Sequence, residues 1–278
     1  LRKIKMGKIT DQQRADFQEK INFYKTKIED LNSQYKNLSI EMMKNKEKEP
    51  LLRIKAANLI MNQITIYCAM SDLSVFLLGV KNTAYLEKAR QLLYEVIINL
   101  EKTVTNYVDV PFTDYSDKLE KISDYSDAEK LNIIKKIGYC IDLVKEEFGE
   151  NTKWKWSFVE IEARFAVIAK NLFDMRKFQK LDDPREEGFQ DRRAHLSVIQ
   201  RLLRDASNGY REKFELSTKD IEDLKKAIDF QKALLRINMV LGDNEKIETC
   251  KKQIEVWNTL LEKHLAQIEE EKKKKISK

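Results

Sequence analysis

Phe17, Ile21, Tyr24, Ile28, Leu31, Tyr35, Leu38 and Met42 follow one another at steps of four and three, with Lys, Glu, Asp and Gln between them. Steps of that size return to the same side of an α-helix, so the pattern predicts one long helix with a narrow apolar seam over nearly four heptads. Thr10 with Gln13 offers a capping box at its start, and Pro50 marks its end or the next beginning. A seam of the same kind, Ile247, Cys250, Ile254, Trp257, Leu261, His264 and Ile268, predicts a last helix from Asn244. So narrow a stripe suits packing against one or two neighbours, within the chain or on a second chain. A hairpin within the chain is the simpler expectation.

Between the two seams the pattern keeps its helical period. The run LIMNQITIYCAMSDLSVFLLGV (59–80) is apolar almost all round and long enough to span a bilayer. Asn62, Gln63 and Asp72 interrupt it, and a central Asp alone costs about 2.5–3.5 kcal/mol on insertion scales. A helix wrapped by other helices is expected, with no membrane span. A further helix starts near Thr83 and stops before Pro111. The phrase Asp-Tyr-Ser-Asp then occurs twice, at 114–117 and 124–127. Ser126 stands three residues before Glu129 and just ahead of Leu131, Ile134, Ile137, Ile141 and Val144, which is a capping box. Asp117 with Glu120 does the same less well for a short turn at 117–122. Neither copy has the Gly and Glu positions of a calcium-binding loop, so the repeat reads as helix punctuation. Modification of Ser116 or Ser126 is left open.

A helix beginning near Asn151 carries Trp154, Phe158, Ile161, Phe165, Ile168, Leu172 and Met175 on one face and is expected to stop at Asp182-Asp183-Pro184, where Asp183 caps and Pro184 opens the next helix. That stripe reads as core. The next helix is expected to break at SNGY (207–210), and another to run from Ser217 or Thr218 to Gly242.

Composition sharpens the fold class. With seven Gly and three Pro in 278 residues, against 35% charged residues, the chain lacks what tight sheet turns need and suits long helices. The expectation is an all-α array or bundle of about seven to eight long antiparallel helices, read as one continuous array, or two sub-bundles, over the stretches 1–109, 110–183 and 184–278. The net charge of +6 is spread over interleaved signs, which argues against a nucleic-acid groove. Like charges cluster only in LRKIKMGK at the start and EEEKKKKISK at the end, where basic tails could touch a membrane surface. Cys68, Cys140 and Cys250 lie far apart within apolar patterns and read as buried thiols in a reducing, cytoplasmic setting.

Candidate chemistry is sparse. Of the two histidines, His195 and His264, neither belongs to a Glu-x-x-His pair, and no phosphate-binding glycine loop or nucleophile elbow occurs. No catalytic, cofactor or metal site is expected. One local bias stands out: residues 181–212 hold no Lys but six of the thirteen Arg, namely Arg185, Arg192, Arg193, Arg201, Arg204 and Arg211. Arg pairs bidentately with carboxylate or phosphate, so these could recognise an acidic or phosphorylated partner. Seven acidic residues in the same window favour pairing within the fold.

The stretch LGDNEKIETCKKQIEVW (241–257) resembles the turn and second helix of a tetratricopeptide repeat, with Gly242-Asp243 at the turn. The motif's small positions are occupied by Ile247 and Ile254, and no second copy appears at a 34-residue period. The resemblance implies a helix-pair scaffold that displays a partner-binding groove. Together these patterns lead to the expectation of a non-catalytic scaffold or adaptor that contacts other proteins, or a second copy of itself, by helix–helix packing. The expected contact residues are Phe17, Ile21, Tyr24 and Ile28 on the first helix and Trp257, Leu261 and His264 on the last. The alternative is a regulatory bundle binding a phosphorylated or acidic ligand, or nucleic acid, through 185–211.

Overall fold

The computed structural model of the chain describes residues 9–276. The basic stretch at 1–8 and the final residues 277–278 lie outside the described residues. Among the described residues the chain is all-α, with eight long helices and two short ones and no strand. It divides into two compact units, each assembled from separated pieces: 1–104, 120–125 and 132–153 in the first, 105–119, 126–131 and 154–278 in the second. Neither unit is one consecutive stretch, because the chain returns to the first unit after entering the second.

In the first unit, α1 (Asp11–Lys44) starts at the Thr10–Gln13 capping box and runs without interruption. Its seam lies on α2 (Glu49–Leu78): Ile21 and Ile28 are buried with Met70, flanked by Phe17, Tyr24, Ile66 and Tyr67, while Met42 closes on Leu52 and Ala56. α2 buries Ile54, Ala57, Ile60, Ile64 and Cys68 among others, while Val75 and Phe76 near its end are exposed. By length and composition α2 alone among the described residues could cross a membrane, yet 44% of its apolar window is buried inside the protein. Its buried Gln63 amide donates to Asn32 of α1 at 3.2 Å, and the other two polar interruptions, Asn62 and Asp72, are exposed. α2 ends at Gly79 in the left-handed conformation, φ 64°, where the last carbonyls are closed off. α3 (Thr83–Thr103) is capped by Asn82 and lies along α2, with Arg53 donating to Asn99.

The twin phrases divide their roles. Ser116 and Asp117 lie inside the short α4 (Ser116–Glu120), so Asp117 is a first-turn acid and not the cap. Ser126 and Glu129 do form the reciprocal capping box of α5 (Asp127–Phe148), at 2.8 and 3.2 Å. From residue 132 on, α5 belongs to the first unit, where Cys140 sits buried against Met61.

The second unit is built on α6 (Lys155–Asn171), α8 (Phe189–Lys213), α9 (Ile221–Leu241) and α10 (Asn244–Ile276), each packed on the next. Three sequence expectations are corrected here. The helix from the 150s stops at Asn171, and Asp174 then caps the six-residue α7 (Met175–Lys180), its side chain accepting from the Lys177 N–H at 2.9 Å. Asp183 and Pro184 open no helix: Asp183 turns back on Arg185, and α8 begins at Phe189. Lastly, α8 runs straight through SNGY. Gly209 is kept inside it by close packing on α6, since a Cβ there would sit 3.2 Å from Val159 Cγ1, and Ser207 Oγ donates across to Ala227 O at 2.8 Å. The break falls later, in a π turn over Phe214–Thr218 ending at Lys219, φ 52°. Asp220 caps α9, and Gly242, φ 68°, ends it.

A candidate ligand cavity

The sequence-marked residues are used largely inside the fold. Phe17, Ile21, Tyr24 and Ile28 face α2, as described. Trp257 is buried, Leu261 and His264 are half-buried, and the His264 ring stands edge-on to Phe214 at 5.0 Å. Both seams are thus covered over much of their length by the chain itself.

The arginines divide in two. The Arg192 side chain is 2% exposed and donates to Asp127 Oδ2 at 2.8 Å, to Glu187 O at 2.7 Å and to Leu181 O at 2.8 Å, pinning the 181–188 loop. Gly188 is required beside it, because its φ of 74° is left-handed and a Cβ would fall 2.9 Å from both Arg192 Nη1 and Asp127 Oδ2. Arg193 grips Asp182 through two nitrogens and lies over Phe178 and Phe189; Arg211 grips Glu215 in the same way. Arg201 and Arg204 are exposed, and Arg204 borders a polar cleft of about 390 Å³ with Gln231 and Cys250.

The arrangement with the clearest chemistry was not marked in the sequence. Asn171, at the end of α6, donates its amide to the carbonyls of Thr105 and Tyr107 at 2.9 and 3.1 Å, which holds the irregular 105–111 segment against the helix. That fixes Asp109 where its carboxylate accepts from Arg236 Nε of α9 at 2.8 Å. Tyr115 follows the 3-10 turn Phe112–Asp114, buried and edge-on to Phe112 at 5.3 Å. These parts enclose a cavity of about 240 Å³, walled by Val108, Phe112, Phe173, Ile199, Ala233 and Ile237 among others. Three of its lining residues, Pro111, Arg236 and Val240, are exposed and form its mouth.

Lys170 lines the same cavity. It is 8% exposed, its Nζ lies 5.0 Å over the Tyr115 ring, and no carboxylate lies within ion-pair distance among the described residues. Burial drives its pKa down to about 8, offset in part by Asp109 and reinforced by Arg236. Tyr115 is pushed up to about 12, first by burial and then by Asp174. Its phenol is therefore neutral at ordinary pH and no counter-charge to the amine. A cation in such a place is held by the Tyr115 ring and by Asp109 at longer range, less than a paired carboxylate supplies.

Sequence reading passed over Lys170 because α6 is buried from Phe165 to Asn171 on every side. A stripe argument assumes a wet face for the lysine of FAVIAKNLF, and this helix has none there. The available signal was a lone cation in an apolar run.

A family model matches residues 13–265, from the first turns of α1 well into α10. The chain belongs to the TP0443 family. The match takes in both units, whereas the tetratricopeptide resemblance concerned only the last hairpin of this TP0443-family protein. No curated protein matches it. A solved chain described as "Computational Design of Self-Assembling Cyclic Protein Homooligomers" aligns over 94% of this chain and 99% of its own, at 14% identity and a TM-score of 0.27. At that score nothing about assembly follows.

Proposed function

We propose that this TP0443-family protein binds a small, mainly apolar molecule in the cavity between α6, α8, α9 and the 105–115 segment. The observation that carries the reading is the buried, unpaired Lys170 on a mainly apolar wall whose other charged residues, Asp109 and Arg236, pair with each other. Ligand sites are concave and apolar with a few convergent polar groups, and titratable residues shifted by burial gather there. The volume of about 240 Å³ lies just under the roughly 300–1,000 Å³ of sites for drug-sized ligands, which suits a compact occupant. The role is recognition, in the regulatory sense of the alternative above, with the contact moved from the arginine-rich helix to the cavity.

The test is a thermal-shift screen of small aliphatic and aromatic compounds against the full chain and Ala233→Phe, which fills the cavity from α9. Compounds that raise the melting temperature of the native chain and not of the filled variant support the reading. A folded native chain that none of them stabilises would reject it.

A scaffold role has its own support in two large apolar side chains left in water one turn apart near the end of the first helix, where Ile40 is 40% and Met43 69% exposed. Sedimentation of the purified chain against Ile40→Ser/Met43→Ser checks it: self-association lost in the double variant is the expected result.

A further inference from the structure

We infer that the occupant of this cavity carries one negative charge, a carboxylate at the end of an aliphatic or aryl body, and that Lys170 is its counter-ion. This inference rests on the cavity reading above and adds the chemistry of the head group.

Charge balance leads to it. The charged groups lining the cavity are Lys170 from α6, Asp109 from the 105–111 segment and Arg236 from α9; the α8 and α7 contributions, Ile199 and Met175, are apolar. Asp109 is engaged by Arg236 at 2.8 Å, so Lys170 remains as one uncompensated positive charge. The Tyr115 phenol stays neutral and supplies a ring, not an anion. Arg236 uses only Nε on Asp109; its terminal nitrogens have no acceptor among the described residues and are available near the mouth. A monoanion supplies the single charge the cavity lacks. An apolar tail matches the remaining wall of Val108, Phe173, Ala233 and Ile237. A cation would meet like charge, and a dianion would leave one charge unpaired in an apolar pocket.

Two consequences separate this from simple greasy binding. A carboxylate keeps Lys170 protonated, so binding takes up a proton whenever the free amine is partly neutral. Since the free amine titrates at about 8, carboxylate affinity falls roughly thirtyfold between pH 7 and pH 9.5, while a neutral ligand is unaffected. The charged contact also favours the carboxylate over an uncharged analogue of the same length by roughly ten- to hundredfold at pH 7.

The experiment is calorimetric titration of the full chain with octanoate and with 1-octanol at pH 7 and pH 9.5, in buffers of differing ionisation enthalpy. Octanoate preferred at pH 7, proton uptake at pH 8, and preference collapsing at pH 9.5 are the expected results. Lys170→Met should retain octanol binding and lose the preference; the pH comparison on the native chain stands even if that variant misfolds. Octanol bound as tightly as octanoate at both pH values overturns the counter-ion while leaving the cavity reading intact. Neither probe binding the native chain overturns both.

Discussion

His195 shows how one buried side chain makes stability depend on acid. It is 3% exposed, with Nε2 2.9 Å from Ala169 O and its ring edge-on to Phe173 at 5.2 Å. Burial, with the Lys130 charge adding to it, lowers its pKa to about 4. The unfolded chain takes the proton near pH 6.5 and the folded one resists until about 4. The unfolded state therefore binds more protons across that window, and stability falls as pH falls through it, by about 3 kcal/mol in full. Urea unfolding from pH 7 to pH 4 measures this, and His195→Gln should flatten the part of the slope due to this residue. Lys170 behaves alike at the other end of the scale. Its folded pKa of about 8 lies below the unfolded 10.5, so folding is weakened as pH drops from 10.5 to 8 and stays weakened below. Lys170→Met, measured by the same method at pH 7, should stabilise the empty protein by about 1–3 kcal/mol. A side chain that opposes folding when empty is what a counter-ion for an absent partner looks like.

At the scale of the element, local chemistry and packing settle different things. The Ser126–Glu129 box is local: both hydrogen bonds lie within four residues, so the start of α5 could be read directly. Ser126→Ala leaves an N–H of the first turn without its side-chain acceptor and should cost about 1 kcal/mol, checked as a lower urea midpoint at unchanged slope. The SNGY segment shows the opposite case. Ser, Asn and Gly predict a break from propensity alone, yet Tyr210 and Ser207 are buried and Gly209 lets α6 approach. The packing gain across the contact outweighs about 1 kcal/mol of lost helix preference for the Gly. The Asp183-Pro184 stop fails as a helix start for a related reason: Arg192 takes the carbonyls of Leu181 and Glu187, which holds that stretch as a loop.

At the scale of the whole molecule, each unit is made of pieces far apart in sequence, so the chain cannot be cut into two working halves. A fragment of residues 105–278 contains every piece of the second unit. It also carries the 132–153 stretch, whose Ile133, Ile134, Ile137, Ile141 and Val144 are buried in the intact chain. Deprived of α1–α3, those side chains would lie in water as one apolar stripe. The fragment is expected to stay helical by circular dichroism but to aggregate or bind a hydrophobic dye, while the full chain does neither. A monodisperse fragment that binds no dye would show that the first unit is dispensable for covering α5.

The amino-acid order alone was enough for the helical class, the two long seams, the capping boxes at Thr10 and Ser126 and the stop at Gly242, because each depends on residues within a turn or two of one another. Tertiary packing decided the rest. It chose how much of α6 stayed dry, whether Gly209 broke a helix, which carboxylate met which arginine, and that Lys170 would be enclosed beside Tyr115 with no carboxylate at ion-pair distance among the described residues. Those outcomes depend on groups such as Asp109 and Arg236, which are 127 residues apart, and no periodicity along the chain encodes a contact over that distance.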